Sequence, residues 1–277
     1  MRLLVCTLLA VIAAAQEPLQ VAQARLARGD AQGASRALEG VACPAIDQGA
    51  ARAAWLDARG RIAWQQGRLD EAFALCVQAV ACAERAGVML PAHLSALRSD
   101  QAWIDAASGL PPRVLPTGES SEGAALAKAL AESPEAQEEA GAWLRLAARL
   151  LDPARPAVDV AMPSENEKVA RRRVAFLQAA LAARAGDAEA AVAAVRASAR
   201  EAAALQPLCH WFEGEALLRR ARPDPRTASL RFVQCAATLD AAPWLRASAL
   251  RRAAASLESI DPAEASRLRV AADEETP

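Results

Sequence analysis

The sequence predicts an all-α protein, and two features of its 277 residues indicate this class. Proline, glycine and capping residues divide the chain into segments whose apolar residues recur with the period of a helix. The nearest candidate for an alternating β-strand, Val158-Asp159-Val160, has only three residues and is too short to form a sheet. The predicted helices span residues 18–28, 31–42, 49–66, 69–86, 91–107, 121–132, 134–151, 165–185, 188–205, 207–221, 225–240, 243–259 and 262–273.

Several of these helices begin with residues that stabilise a helix N-terminus. Ser133 offers a capping hydroxyl, and Pro134 follows it at the first helical position. Asp261 is followed by Pro262 and then by Glu264, so an acidic cap, a proline and an acidic first turn are combined. These signals predict helix starts at residues 134 and 262.

A short pattern recurs three times and indicates that the helices pair into hairpins. In each copy a glycine ends one helical segment, and an alanine follows five residues later. The three copies are Gly29 with Ala34, Gly67 with Ala72, and Gly186 with Ala191. The glycine suits a tight turn between helices, and the small alanine lets the two helices touch.

The segment from Ala53 to Ala86 resembles a tetratricopeptide repeat. It carries Leu56, Gly60 and Ala63, then Gly67, Leu69, Ala72, Cys76 and Ala79, at the spacing of that family. Small or aliphatic residues replace the aromatic residues that the family prefers, and the usual terminal proline is missing. The resemblance implies a right-handed superhelical solenoid of antiparallel helix hairpins. A generic α-solenoid of helical hairpins remains the alternative.

A second, looser match to the family lies further along the chain. Gly214, Leu217 and Ala228 fit with one extra residue in the turn around Asp224.

The N-terminus has the pattern of a secretory signal. Arg2 precedes an apolar stretch, and Ala13-Ala14-Ala15 offers a cleavage site before Gln16. Residues 1–15 are therefore predicted to be removed on export to the periplasm or outside the cell. The later apolar runs are broken by charged residues, so we expect no integral membrane segment in the mature protein.

A proline-rich stretch over residues 109–120 suggests how the rest of the chain is organised. We expect an N-terminal helical lobe over residues 16–108, a Pro-rich linker over 109–120, and a C-terminal helical lobe with a frayed acidic tail over 121–277. The alternative is that the linker docks on a groove.

The charges argue against nucleic acid as a partner. The chain has 32 basic and 33 acidic residues, which are interspersed. The longest basic block is Arg171-Arg172-Arg173, which fits a solvated helix face better than a concentrated basic surface.

Removal of Cys6 with the signal leaves five cysteines, an odd number. Cys209 lies near the start of one predicted helix and Cys235 near the end of the next, so the two are predicted to form a disulfide. Pairing of Cys43 with Cys76 or Cys82 is a second hypothesis. The third is that all five cysteines are small apolar core residues.

The residues that usually carry catalysis do not form a recognisable pattern. His93 and His210 are the only histidines and lie far apart, and no nucleophile elbow or phosphate-binding glycine loop occurs. The sequence therefore predicts no catalytic residue, no metal site and no cofactor. A hydrolase of the cell envelope, for example one that acts on peptidoglycan, and a structural subunit of an envelope assembly remain as alternatives.

One helical face is the predicted partner-binding surface. Asp57, Arg61, Trp64 and Gln65 share a face, and the resemblance places that face on the concave side of the solenoid. Arg61 would bind a carboxylate, and Trp64 would be an apolar anchor. The alternative is that Trp64 packs against a neighbouring hairpin, while Asp57 and Arg61 form a surface pair. The function predicted is an exported scaffold or adaptor for a protein or peptide partner.

Overall fold

The computed structural model describes residues 17–26, 28–87, 121–138, 141–158, 160–164, 168–197, 206–238 and 243–275. Within these ranges the regular elements are helices and no β-strand occurs, which confirms the predicted all-α class. In the same ranges no helix is both long enough and apolar enough to cross a membrane. The predicted signal, the helix expected at 91–107 and the Pro-rich linker lie outside the described residues.

The chain divides into two compact units, and residues up to 94 together with 114–157 form the first. Its elements are α1 (17–26), α2 (Ala31–Ala37), α3 (Gly49–Gln65), α4 (Leu69–Arg85), α5 (Gly123–Ala131), a 3-10 helix (Pro134–Gln137) and α6 (Trp143–Leu151). Helices α5 and α6, which follow the predicted linker, pack against α4. This grouping differs from the predicted lobes, in which residues after 120 belong with the C-terminal helices.

Helices α3 and α4 form an antiparallel hairpin. A Cβ added to Gly49 would lie 2.5 Å from Ala86 Cβ, and one added to Gly60 would lie 3.0 Å from Cys76 Sγ, so opposite ends of the two helices face each other. The turn between them depends on Gly67, whose φ is 76°. Ala72 is fully buried at the place predicted for close helix contact.

The predicted helix over 134–151 is wrong, because the chain breaks between a 3-10 turn and α6. The Ser133 hydroxyl does cap the start, accepting a hydrogen bond from the backbone N–H of Ala136 at 3.3 Å. After one turn, Glu138 takes an extended conformation. The chain then returns so closely that a Cβ at Gly141 would overlap the carbonyl oxygen of Glu135. Buried contacts of the Glu135 side chain, described below, hold this turn.

The described part of the second unit runs from residue 158 to residue 275 and contains six helices. They are α7 (Lys168–Arg184), α8 (Ala188–Ala197), α9 (Gln206–Arg219), α10 (Pro225–Ala237), α11 (Pro243–Leu257) and α12 (Pro262–Glu274). Each packs against the next in the chain, and α7 also packs against α9.

The repeated turn predicted from the sequence is present in all three copies. Gly29, Gly67 and Gly186 have φ values of 76°, 76° and 77°, in the left-handed region that favours glycine. The alanines five residues later, Ala34, Ala72 and Ala191, are fully buried.

The structure extends this pattern to five hairpins. In each of these described hairpins, a buried alanine lies near the start of the second helix. A second small buried residue lies twelve positions earlier, in the first helix. The pairs are Ala22 with Ala34, Gly60 with Ala72, Ala179 with Ala191, Ala216 with Ala228, and Ala253 with Ala265. Ala216 therefore holds the place that the sequence match gave to Gly214. Gly214 instead contacts Phe232, where an added Cβ would lie 2.8 Å from the ring.

Candidate functional site

The predicted partner-binding face is only partly accessible. Asp57 is 0% exposed, Arg61 and Trp64 are half-buried, and Gln65 is exposed. Trp64 packs against the small cluster of Ala63 and Ala72, which belong to its own α3–α4 hairpin and not to a neighbouring one. Asp57 therefore cannot take part in an exposed surface pair with Arg61 or contact a partner directly.

Asp57 instead lies in the interface between α3 and α4. Asp57 lies one helical turn before Gly60, and Gly60 packs against the side chain of Cys76 in α4. Burial raises the pKa of Asp57 to about 7, although Arg61 acts in the opposite direction. Burial, together with the nearby Asp57 charge, raises the pKa of Cys76 to about 12. The sequence pattern of one helix did not reveal this environment, because it depends on α4.

A groove between α4 and α5 is a second candidate surface in the first unit, with a volume of about 390 Å³. Apolar and polar side chains both line it, and the apolar ones contribute most of its accessible surface. The lining residues are Arg68, Glu71, Ala74, Leu75, Gln78, Glu122, Leu126, Ala129 and Leu130. Apolar side chains in a concave surface, bordered by a few polar groups, are typical of a ligand or peptide site.

Ion pairs fix the side chains at the edge of this groove. Arg68 forms a salt bridge with Glu71 and donates a hydrogen bond to Gln66 Oε1 at 2.6 Å. Arg59 of α3 also approaches Glu71, with 3.9 Å between Nη2 and Oε1. The groove edge is therefore connected to α3 as well as to α4.

Sequence reasoning did not identify this groove. The available signal was the spacing of Leu126, Ala129 and Leu130 on α5, which shows an apolar helical face. That spacing does not say which helix the face meets, since α5 lies more than forty residues after the groove-lining part of α4.

A buried polar cluster formed by Arg52, Gln78 and Glu135 also lies in the first unit. Arg52 Nε donates to Glu135 Oε1 at 3.0 Å, and Gln78 Nε2 donates to Glu135 Oε2 at 3.4 Å. The Glu135 side chain is only 1% exposed. Burial alone would raise the pKa of Glu135, but its own backbone N–H and Arg52 hydrogen-bond to it and hold that pKa below its usual value. Glu135 is therefore a buried carboxylate, stabilised by a neighbouring cation.

The predicted Cys209–Cys235 disulfide is not formed in the structure, where both residues are buried free thiols. The ends of α9 and α10 were expected to bring these residues together. The Cys209 thiol, however, lies beside Arg196 of α8, which partly offsets the rise in its pKa that burial causes. Burial alone raises the pKa of Cys235 to about 12. The hypothesis that all five cysteines are small core residues agrees with the structure for the four buried thiols Cys76, Cys82, Cys209 and Cys235, but it is wrong for Cys43, which is exposed.

The described residues contain no group of three or more His, Cys, Asp or Glu side chains that could hold a metal ion. His210 is half-buried, and burial followed by the charge of Arg231 lowers its pKa, so its imidazole is neutral at pH 7. Comparison of the chain with protein-family models, with curated proteins and with solved structures gives no match.

Proposed function

We propose that this chain is an exported, tetratricopeptide-like scaffold or adaptor that binds a protein or peptide partner. The observation that supports this proposal is the recurrence of one hairpin unit, with a buried small residue in each helix twelve positions apart. Stacked hairpins of this kind build extended surfaces whose main use is to bind other chains. A right-handed superhelix with a concave binding face is the arrangement that we propose for them.

Two accessible surfaces of the first unit suit a partner chain. The first is the end of α3, where Gln65 is exposed and Trp64 half-exposed. The second is the α4–α5 groove, whose apolar lining residues include Leu75 and Leu126. Helix α5 has nine residues, so the groove is about 13 Å long and fits one to two turns of a helix or a short extended segment.

A hydrolase is not favoured by any particular side chain in the described residues. Asp57 has a pKa near neutrality, as a catalytic acid or base often does. Its complete burial between α3 and α4 separates it from any substrate. Its unusual pKa is explained by desolvation in the hairpin core, without a catalytic role.

Site-specific photo-crosslinking in the native host tests the proposal. A photoreactive residue is placed at Gln65, at Ala129 in the groove, or at Gln48. Gln48 is the matched control, since it is also an exposed glutamine but lies at the opposite end of α3. We expect a discrete adduct from position 65 or 129, recovered from the envelope fraction, and none from position 48.

The groove has its own test. Replacing Leu126 with serine removes apolar surface from the groove, so it should weaken the adduct at position 129 at least several-fold. Equal labelling from all three positions, or no adduct from 65 and 129 in folded protein, would contradict a scaffold role for these surfaces. Recovery from the cytosol of native protein that still includes residues 1–15 would contradict export.

A further inference from the structure

Two cysteines approach the first turn of α3 from different parts of the chain. Cys43 lies in the non-helical segment between α2 and α3, and its Sγ accepts a hydrogen bond from Arg52 Nη1 at 3.2 Å. Cys82 lies in the last turns of α4, and its Sγ donates to the carbonyl oxygen of Gly49 at 3.4 Å. Gly49 and Arg52 belong to the same helical turn, so both thiols lie at the same end of the α3–α4 hairpin.

The segment that carries Cys43 is held in place by the buried polar cluster. Arg52 Nη1 also donates to the carbonyl oxygen of Pro44 at 3.0 Å, while Arg52 Nε binds Glu135. Because Glu135 holds the guanidinium of Arg52, its Nη1 amino group can donate to both the Cys43 sulfur and the Pro44 carbonyl oxygen.

Cys43 and Cys82 differ in accessibility, but the same two charged residues, Arg52 and Glu135, influence both thiols. Cys43 is exposed and Cys82 is buried, so an external oxidant meets Cys43 first. Although Cys43 is exposed as a residue, its thiol is partly desolvated by the surrounding protein, which raises its pKa, and Arg52 partly offsets this rise. Burial and then Glu135 raise the pKa of Cys82, and Cys43 contributes in the same direction. Cys76 has different neighbours, namely Asp57 and Arg61.

We propose that Cys43 and Cys82 are a thiol pair that forms an intramolecular disulfide by exchange with a small external disulfide. The Cys43 thiolate attacks the external disulfide, which gives a mixed disulfide and releases one thiolate. The Cys82 thiolate then attacks the Cys43 sulfur and releases the second. The protein loses two electrons and two protons, and the external disulfide becomes two thiols.

The bond would join the segment before α3 to the end of α4. It would close a loop of 39 residues that contains α3 and most of α4, and it would therefore restrict the unfolded chain. This inference does not depend on the proposed scaffold function, and it can be tested on purified protein whatever its location in the cell.

The test is peptide mapping of the purified full chain after incubation with oxidised glutathione, with a dithiothreitol-treated sample as reference. Trypsin releases Cys43 in a peptide of residues 37–52, but it releases Cys76 and Cys82 together in residues 69–85. Three variants therefore locate the bond. We expect the linked pair of peptides in the wild type and in Cys76→Ala, and its loss in Cys43→Ser and Cys82→Ala.

Stability provides a second readout in the same samples. The oxidised wild type should melt at a higher temperature than the reduced protein, and Cys43→Ser should show no such difference. A mixed disulfide with glutathione that persists at Cys43, a Cys43-linked dimer, or a linked peptide that disappears in Cys76→Ala would each overturn the proposal. So would free thiols at Cys43 and Cys82 after prolonged oxidation.

Discussion

The two units of the molecule use the same hairpin but stabilise it differently. In the second unit the capping residues Asp187, Asp224 and Asp261 are spaced 37 residues apart, and each precedes a buried alanine by four positions. The Asp224 and Asp261 side chains accept a backbone N–H at the start of their helices, at 3.1 Å in both cases. In the first unit Asp30 fills this role for α2, but Arg68 stands at the same position before α4 and makes no such cap.

The interiors of two hairpins also differ. In the α7–α8 hairpin the residue fifteen positions before the buried alanine is Phe176, whose ring packs edge-on against Phe212 with 5.2 Å between the ring centroids. The α3–α4 hairpin has Asp57 at that position, equally buried. The five hairpins therefore share the pair of small residues that lets the helices touch, whereas the position fifteen residues before the alanine varies: it is Asp57 in α3–α4, Phe176 in α7–α8 and Glu213 in α9–α10.

A segment that does not repeat accounts for the buried charge of Glu135 in the first unit. The 3-10 turn at 134–137 has no second copy among the described elements, and it contacts the hairpin through Glu135, Arg52 and Gln78. A paired and hydrogen-bonded charge tolerates fewer alternative positions than apolar contacts do. We infer that the polar cluster fixes the place of this irregular segment.

The largest expected effect is the loss of Glu135. Glu135→Ala should lower the free energy of unfolding by about 3–5 kcal/mol, because it leaves Arg52 largely buried without its carboxylate. Chemical denaturation of the purified variants measures this. Glu138→Ala is the matched control, since the Arg85–Glu138 pair is well exposed and should contribute less than about 1 kcal/mol. Equal effects of the two substitutions would show that the buried cluster does not stabilise the first unit.

The second prediction concerns Asp57 and pH. A folded-state pKa of about 7 against an ordinary value of 3.8 means that the folded protein binds more protons than the unfolded chain between these values. The stability that this residue contributes is therefore complete below about pH 4 and is lost as the pH rises through 7. Because one pKa unit is worth about 1.4 kcal/mol, the loss should be about 3 kcal/mol between pH 5 and 8.

Asp57→Asn isolates this contribution, because asparagine keeps the shape but does not titrate. The free energy of unfolding of the variant, relative to wild type, should increase steadily from pH 5 to 8. Arg61→Gln serves as a control that keeps the carboxyl group and removes the charge that favours its ionised form. A constant difference between Asp57→Asn and wild type over this range would contradict a raised pKa.

The smallest expected effect tests the repeat itself. Ala191→Leu should cost about 1–3 kcal/mol by overpacking, since Ala191 is fully buried at the start of α8. Ala193→Leu, two residues later in the same helix, is exposed and should change stability by less than about 0.5 kcal/mol. If Ala191 and Ala193 responded alike, the alignment of the five hairpins would lose its physical basis.

Much of the fold could be predicted, but less of the candidate site. The helical class, the three glycine turns and the caps at Ser133 and Asp261 agree with the structure. The single helix over 134–151 was wrong, because its local helical pattern was overridden by the contacts of Glu135 with residues more than fifty positions away. Arg61 and Gln65 retain some exposure, whereas Asp57 does not.

Features that act over only a few residues were predictable from the sequence alone. A glycine at positive φ, an aspartate that caps the next helix and a small alanine in each hairpin are constraints of local backbone geometry and side-chain size. Three other features emerged only from the packed helices: Asp57 is enclosed, α4 and α5 border a groove, and Cys43 and Cys82 approach one turn of α3. These features depend on which helical faces meet, and that is set by packing between segments far apart in the chain.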